Sequence, residues 1–177
     1  MNYILETERL RLREFTLDDA EFIIELMNSP GWLKFIGDRN INNTDQAIAY
    51  LENGPIKSYR EKGFGLWLVE TKDPERPIGM CGILKREHLI NPDIGFAFLP
   101  VFTGKGFAFE AALATLNFAK QKLNFKTIFG MTVSENDSSI RLLEKIGMRF
   151  THTSCLSGNN EELLIYSSDL ADNGIES

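Results

Sequence analysis

The sequence predicts an α/β (α+β) domain: a mixed, mostly antiparallel sheet of about seven strands flanked by about four helices. Two observations carry that prediction. Three strand-like segments follow one another at hairpin distance between Phe64 and Pro100, and beyond Gly106 helices and strands alternate. Successive hairpins make antiparallel pairs, whereas a helix between two strands lets the chain cross the sheet.

Taken in order, "LRLREF" sets Leu10, Leu12 and Phe15 against Arg9, Arg11 and Arg13, the alternation of a half-buried strand. Asp18 and Asp19 fall in the first turn of a helix whose apolar positions Phe22, Ile23, Leu26 and Met27 recur at helical spacing, and "NSPGW" stops it. A second helix runs from Thr44, its N-cap, to about Lys62, with Ile48, Leu51, Ile56 and Tyr59 for its inner face and a break or kink at Gly54-Pro55. The strands Phe64–Glu70, Pro77–Glu87 and Asp93–Pro100 follow, joined by "KDPERP" and "HLINP". A helix from Gly106 to about Leu123 carries Phe109, Leu113, Leu116 and Leu123 on one face. Then come a strand over Thr127–Val133, a helix over Asn136–Gly147 ending on Gly147, and closing strands over Met148–Cys155 and Glu162–Ser168. The tail from Ala171, "ADNGIES", is expected to fray.

At 177 residues, 43% hydrophobic and 25% charged, one domain is expected, and a net charge of −6 argues against a nucleic-acid-binding surface as the main feature. No apolar run approaches the roughly 20 residues of a membrane span, and the start lacks the order of a secretion signal, so a cytoplasmic location with no membrane partner is expected. Cys81 and Cys155 form no CxxC pair and read as buried thiols. His88 and His152 lie too far apart in sequence to suggest a metal pair, and no metal is expected.

The stretch "VFTGKGFAFE" places Gly104, Lys105 and Gly106 between an apolar strand and a long helix. Free amides and the helix dipole converge at such a junction, which suits an anion, although a tight structural turn uses the same residues. The spacing fits neither GxxxxGK[ST] nor GxGxxG, since Phe109 stands where the third glycine belongs.

Two segments together resemble the GNAT acyl-CoA N-acetyltransferases. "SENDSSIRLLEKIGMRF" is similar to the family's NxxSxxLxxKxGF pattern through Asn136, Ser139, Leu142, Lys145, Gly147 and Met148. "FTGKGFAFEA" resembles the glycine loop of the ribosomal-protein-type branch, and "ETERLRLREFTLDDAEFI" its first strand and helix. The resemblance spans about Glu6 to Leu170 and implies one acetyltransferase domain over residues 1–170, with 171–177 as a tail.

It also implies acetyl-CoA as co-substrate and an amine acceptor, a small molecule or a protein N-terminus. Backbone amides from Thr103 through Gly104, Lys105, Gly106, Phe107 and Ala108 would hold the pyrophosphate, Phe98 and Leu99 would offer main-chain groups to pantetheine, and Asn136 would bond the same arm or cap its helix. Asp93 is the candidate base or else a hairpin carboxylate, with Glu135 and Glu87 in reserve. Leu143 stands where many family members carry a tyrosine acid, which leaves Ser139 as the nearest hydroxyl for the sulfur, or as a capping serine. Trp32 and Phe35 wall the acceptor pocket or pack between helices. A non-catalytic acyl-CoA-binding domain is the alternative, and the protein is read as a monomer or homodimer.

Overall fold

In the computed structural model, residues 2–155 and 161–168 are described; the tail after Ala171 lies outside them. The chain opens with a short hairpin, β1 (Tyr3–Glu6) and β2 (Leu10–Arg13), followed by a 3-10 turn and α1 (Ala20–Met27). Three further helical segments come next: α2 (Pro30–Phe35), α3 (Thr44–Leu51) and α4 (Lys57–Lys62). The meander β3 (Leu66–Lys72), β4 (Glu75–Leu84) and β5 (Asp93–Phe98) leads into α5 (Phe107–Gln121). The chain then forms β6 (Phe129–Val133), α6 (Asp137–Lys145), β7 (Arg149–Cys155) and β8 (Glu162–Ser167). One 8-stranded sheet results, in the order β1-β2-β3-β4-β5-β6-β8-β7. All neighbours run antiparallel except β5 and β6.

The predicted meander and the alternating second half are both present. β1 was not expected. "YILE" lies on the sheet's edge with its side chains only partly covered, so it has no apolar alternation to announce it. The segment "NSPGW" does end α1, but it also starts α2, because Pro30 occupies a first helical position where its missing N–H is not needed. Trp32 and Phe35 therefore sit on a short helix of their own. Asn43, not Thr44, caps α3: its Oδ1 accepts from the Gln46 N–H at 2.9 Å. The expected interruption at Gly54-Pro55 is a π turn over Glu52–Ile56, which carries Pro55 between α3 and α4.

The sheet has a hydrophobic cluster on each face. Trp67, Val69, Cys81 and Ile83 pack under α5 and α6, while Leu68, Met80 and Leu99 on the opposite face meet Phe22, Ile23 and Leu26 of α1. Alternation along β3 and β4 divides the side chains between the two. The inward face of α5 is small: Ala111, Ala112, Thr115, Leu116 and Ala119 are buried, and Phe109 and Leu113 pack at the flanks. That face differs from the expected row of large residues. Alanines bring the helix axis close to the sheet, which sets the position of its N-terminus over the end of β5.

Candidate active site

β5 and β6 pair at Asp93↔Phe129 and Ile94↔Gly130, and their register goes no further. Phe129 donates its N–H to Pro92 O at 2.8 Å, so even-numbered residues of β5 turn their main-chain groups toward β6. Ile94 completes the last parallel pair, and the amide groups of Phe96 and Phe98 face the gap beyond it. Leu99 faces the other way: its N–H donates to Ile78 O at 2.9 Å, and its carbonyl accepts from Phe102 N–H at 3.0 Å. Of the two residues expected to offer strand-edge groups, Phe98 is placed to do so and Leu99 is not. Phe96, which the sequence reading passed over, lies one alternation period before Phe98.

At the far end of β5 a 3-10 turn, Pro100–Phe102, leads to the glycine loop. Gly104 has φ +73° and Gly106 φ +82°, left-handed backbone that β-branched residues do not adopt without strain. Gly106 is the N-cap of α5 and brings no capping side chain. Among the described residues, the amides of Gly104 to Phe109 have no main-chain acceptor outside the helix, and the first turn of a helix provides none within it. The dipole of a 15-residue helix adds positive potential at the same point. Thr103 contributes less, because its N–H and Oγ1 both bond Pro100 O, at 3.1 and 2.8 Å. Lys105 is exposed, with Nζ 5.6 Å from the centre of the Phe102 ring.

The loop is fixed from behind. Glu110, one turn into α5, accepts from Thr7 Oγ1 at 2.5 Å, Arg9 N–H at 2.9 Å and Arg9 Nε at 2.7 Å. Arg9 in turn donates to Lys105 O at 3.1 Å and lies 4.5 Å over the Phe107 ring. Partial burial pushes the Glu110 carboxyl up, but the bonds from Thr7 and Arg9 outweigh it and hold the group below its ordinary range. Dipole compensation alone, the simplest reading of Glu110 in sequence, omits this tie between the first hairpin and the glycine loop.

A cleft of about 1040 Å³ joins these features. Phe98, Thr103, Gly104, Gly106 and Ala108 line it, as do Asn136 and Ser139, and Asp93 lines it at the start of β5. Trp32 and Phe35 of α2 line it too; Trp32 is also 7% exposed core and donates Nε1–H to Gly37 O at 3.1 Å. Asn136 Oδ1 accepts from Ser139 N–H at 3.2 Å and caps α6, leaving its amide nitrogen without a protein partner among the described residues. The Ser139 hydroxyl is likewise unpartnered among them. Leu143 is fully buried in the core, whereas Leu142 lines the cleft.

Asp93 is 1% exposed, so it is no surface hairpin carboxylate. Arg86 Nε donates to its Oδ1 at 3.0 Å, and Oδ2 has no partner among the described residues. Burial raises the carboxyl above its ordinary range, against the opposing pull of Arg86, His88 and Lys85. The reserves are placed less well: Glu87 and Glu135 are exposed, and neither lines the cleft.

Parted strands beside a bare helix start give the cleft free main-chain groups along one strand edge and open amides at its end. Known proteins give the family. The chain matches the acetyltransferase (GNAT) domain over residues 9–149, and it belongs to that family of N-acetyltransferases. It is 30% identical over 148 residues to an uncharacterised N-acetyltransferase of Bacillus subtilis (strain 168), YoaA, covering 82% of each chain. An acetyltransferase from Agrobacterium tumefaciens superposes with a TM-score of 0.78 at 24% identity over 92% of both chains. RimL, a ribosomal alpha-N-protein acetyltransferase solved in complex with coenzyme A, shares the fold with a TM-score of 0.78 at 12% identity over 94% of this chain and 97% of its own.

Proposed function

We propose that the protein transfers the acetyl group of acetyl-CoA to a primary amine by direct attack of the amine on the thioester. The observation that carries this reading is the opening between β5 and β6 that runs into the amide nest at the start of α5. Pantetheine amides bond the exposed groups of Phe96 and Phe98 as an added strand would, and the Asn136 side-chain N–H₂ holds the same arm. The pyrophosphate accepts from the amides of Gly104, Lys105, Gly106, Phe107 and Ala108, with Lys105 adding charge at the rim.

The acetyl group then lies toward Asp93. A primary amine with a pKa near 10 is mostly protonated at neutral pH, so a base is needed before or during attack. Asp93 takes that proton through Oδ2, directly or through a water, and its raised pKa suits the role. The new N–C bond forms as C–S breaks, and the Ser139 hydroxyl donates a hydrogen bond to the departing sulfur. Trp32 and Phe35 confine the acceptor.

One observation favours the non-catalytic alternative: Asp93 already holds an ion pair, and Leu143 offers no acid. Thermal stability measured with acetyl-CoA, CoA, ATP and NAD in parallel tests binding first. A rise in midpoint with acetyl-CoA and CoA alone is expected by mass action; no shift with either at saturating concentration sinks the reading. Thiol release in a screen of amines then separates enzyme from binding domain.

A further inference from the structure

The end of the cleft away from the glycine loop is basic, although the chain as a whole carries a net charge of −6. Arg39, between α2 and α3, Lys62 at the end of α4, and Lys85 and Arg86 after β4 all line it. The cleft lining holds two acids among the described residues, Asp93, whose charge is matched by Arg86, and Glu161, just before β8. Arg39 makes no ion pair or hydrogen bond among the described residues, and Lys62 and Lys85 donate only to carbonyls, Lys62 at 2.9 Å to Lys85 O and Lys85 at 2.5 Å to Leu89 O and 2.8 Å to Ile90 O. A smaller hollow of about 480 Å³ shares Lys62, Lys85 and Arg86 with the cleft and adds Lys57, Glu61 and Glu87, so four bases face two acids there. Tyr50 lines the same wall; burial pushes its hydroxyl up to about 12, so it stays protonated as a donor, with the Arg39 charge opposing that rise.

These cations are too far from the phosphate end to serve the cofactor. Arg86 bonds the first residue of β5, whereas the bare amides lie beyond its last, and six extended residues span roughly 20 Å. Resting on the transferase reading above, we infer that the acceptor amine carries an anionic group, a carboxylate or a phosphate, held by Arg39, Lys62 and Lys85 while its amine reaches Asp93. A polyamine or aminoglycoside meets repulsion on this wall, which is how like charge excludes a competitor.

The test uses the full chain saturated with CoA, titrated at constant ionic strength with alanyl-glutamate, alanyl-lysinamide, phosphoethanolamine and spermidine. The midpoint of unfolding is followed, and KM is measured with acetyl-CoA by thiol release. Alanyl-glutamate or phosphoethanolamine is expected to bind about tenfold more tightly than alanyl-lysinamide, and the better of the two anions identifies carboxylate or phosphate. Arg39→Gln combined with Lys62→Gln should raise the KM of the anionic acceptor about tenfold and leave that of acetyl-CoA unchanged. Failure of both alanyl-glutamate and phosphoethanolamine to outdo alanyl-lysinamide, including no response to any of the three, overturns the inference. So does a preference for spermidine, or a double variant that weakens acetyl-CoA instead. Failure of acetyl-CoA and CoA to shift the midpoint at all is a different result, which removes the transferase reading and this inference with it.

Discussion

Two helices begin on the rim of the cleft, and they begin differently. At α6 the Asn136 side chain accepts from the Ser139 N–H, the ordinary way a first turn is satisfied. At α5 the N-cap is Gly106 at φ +82°, no side chain reaches back, and the amides before and within the first turn stay open. Both starts come from loops that follow strands of the opened pair. The difference is that the start of α5, held by glycines and braced by Arg9 and Glu110, leaves its amides open for the proposed anion, while the start of α6 satisfies one of its amides itself and keeps only the Asn136 amide nitrogen free.

Filling the bare start should have the largest effect. In Gly106→Val a β-branched residue must adopt left-handed backbone, and its Cβ would stand 3.3 Å from Arg9 Nη2. The stabilisation by acetyl-CoA should disappear in a thermal shift assay while the circular dichroism of the folded protein persists. Retained stabilisation would mean that the anion lies elsewhere.

Asp93→Asn comes next. It keeps the volume and the contact with Arg86 but removes the base, so turnover should fall about 100-fold or more with the KM for acetyl-CoA unchanged. The pH profile refines this. Because burial raises the Asp93 pKa, the acid limb of kcat/KM should lie above the usual carboxylate value of about 4, with activity lost as pH falls through the folded-state pKa. Arg86→Gln removes an opposing charge and should move that limb further up; a limb that stays put would take Asp93 out of the reaction.

Asn136→Ala tests the capped start. Loss of the cap costs about 1 kcal/mol, a fall of roughly 2–4 °C in midpoint for a chain of this size. Affinity for CoA should weaken only in part, since one side-chain donor is removed and the amide nest remains. A loss as complete as in Gly106→Val would erase the distinction between the two starts.

How far the sequence foretold this follows from range. The order of elements, the glycine loop and Asn136 were legible because turn chemistry, helical spacing and two short motifs are local signals. β1 and α2 were not: an edge strand half covered by solvent has no alternation, and the same Pro30 that stops one helix opens another. Contacts between distant residues left no trace. Arg9 and Glu110 are 101 positions apart, and nothing in either neighbourhood announces the other. Asp93 was read as a base or a hairpin carboxylate; it lines the cleft, and its burial depends on the sheet around it, which spacing does not reveal. The direction of Leu99 was open to inference, since counting by two from Phe98 already turns its main chain away from β6.

That long-range tie supplies the smallest and most specific test of why the bare start stays open. Glu110→Gln keeps the shape of the side chain but removes its charge and one of its two acceptor oxygens, so only the bonds to the retained oxygen survive, and they are weaker. The Glu110 pKa is lowered in the folded state, so its contribution to stability is present above the unfolded value near 4.3 and is lost as pH falls through the folded one. Arg9 is 44% exposed on its side chain, and solvent screening limits the pair to about 0.5–1 kcal/mol. At neutral pH the variant should therefore melt about 1–4 °C below the parent, and the two should converge as the pH is lowered past that range. A gap that persists in acid would assign the loss to packing. If CoA binds the variant several-fold more weakly at neutral pH but equally at high salt, the brace acts by charge, holding the Lys105 carbonyl back so that the neighbouring amides face the cleft.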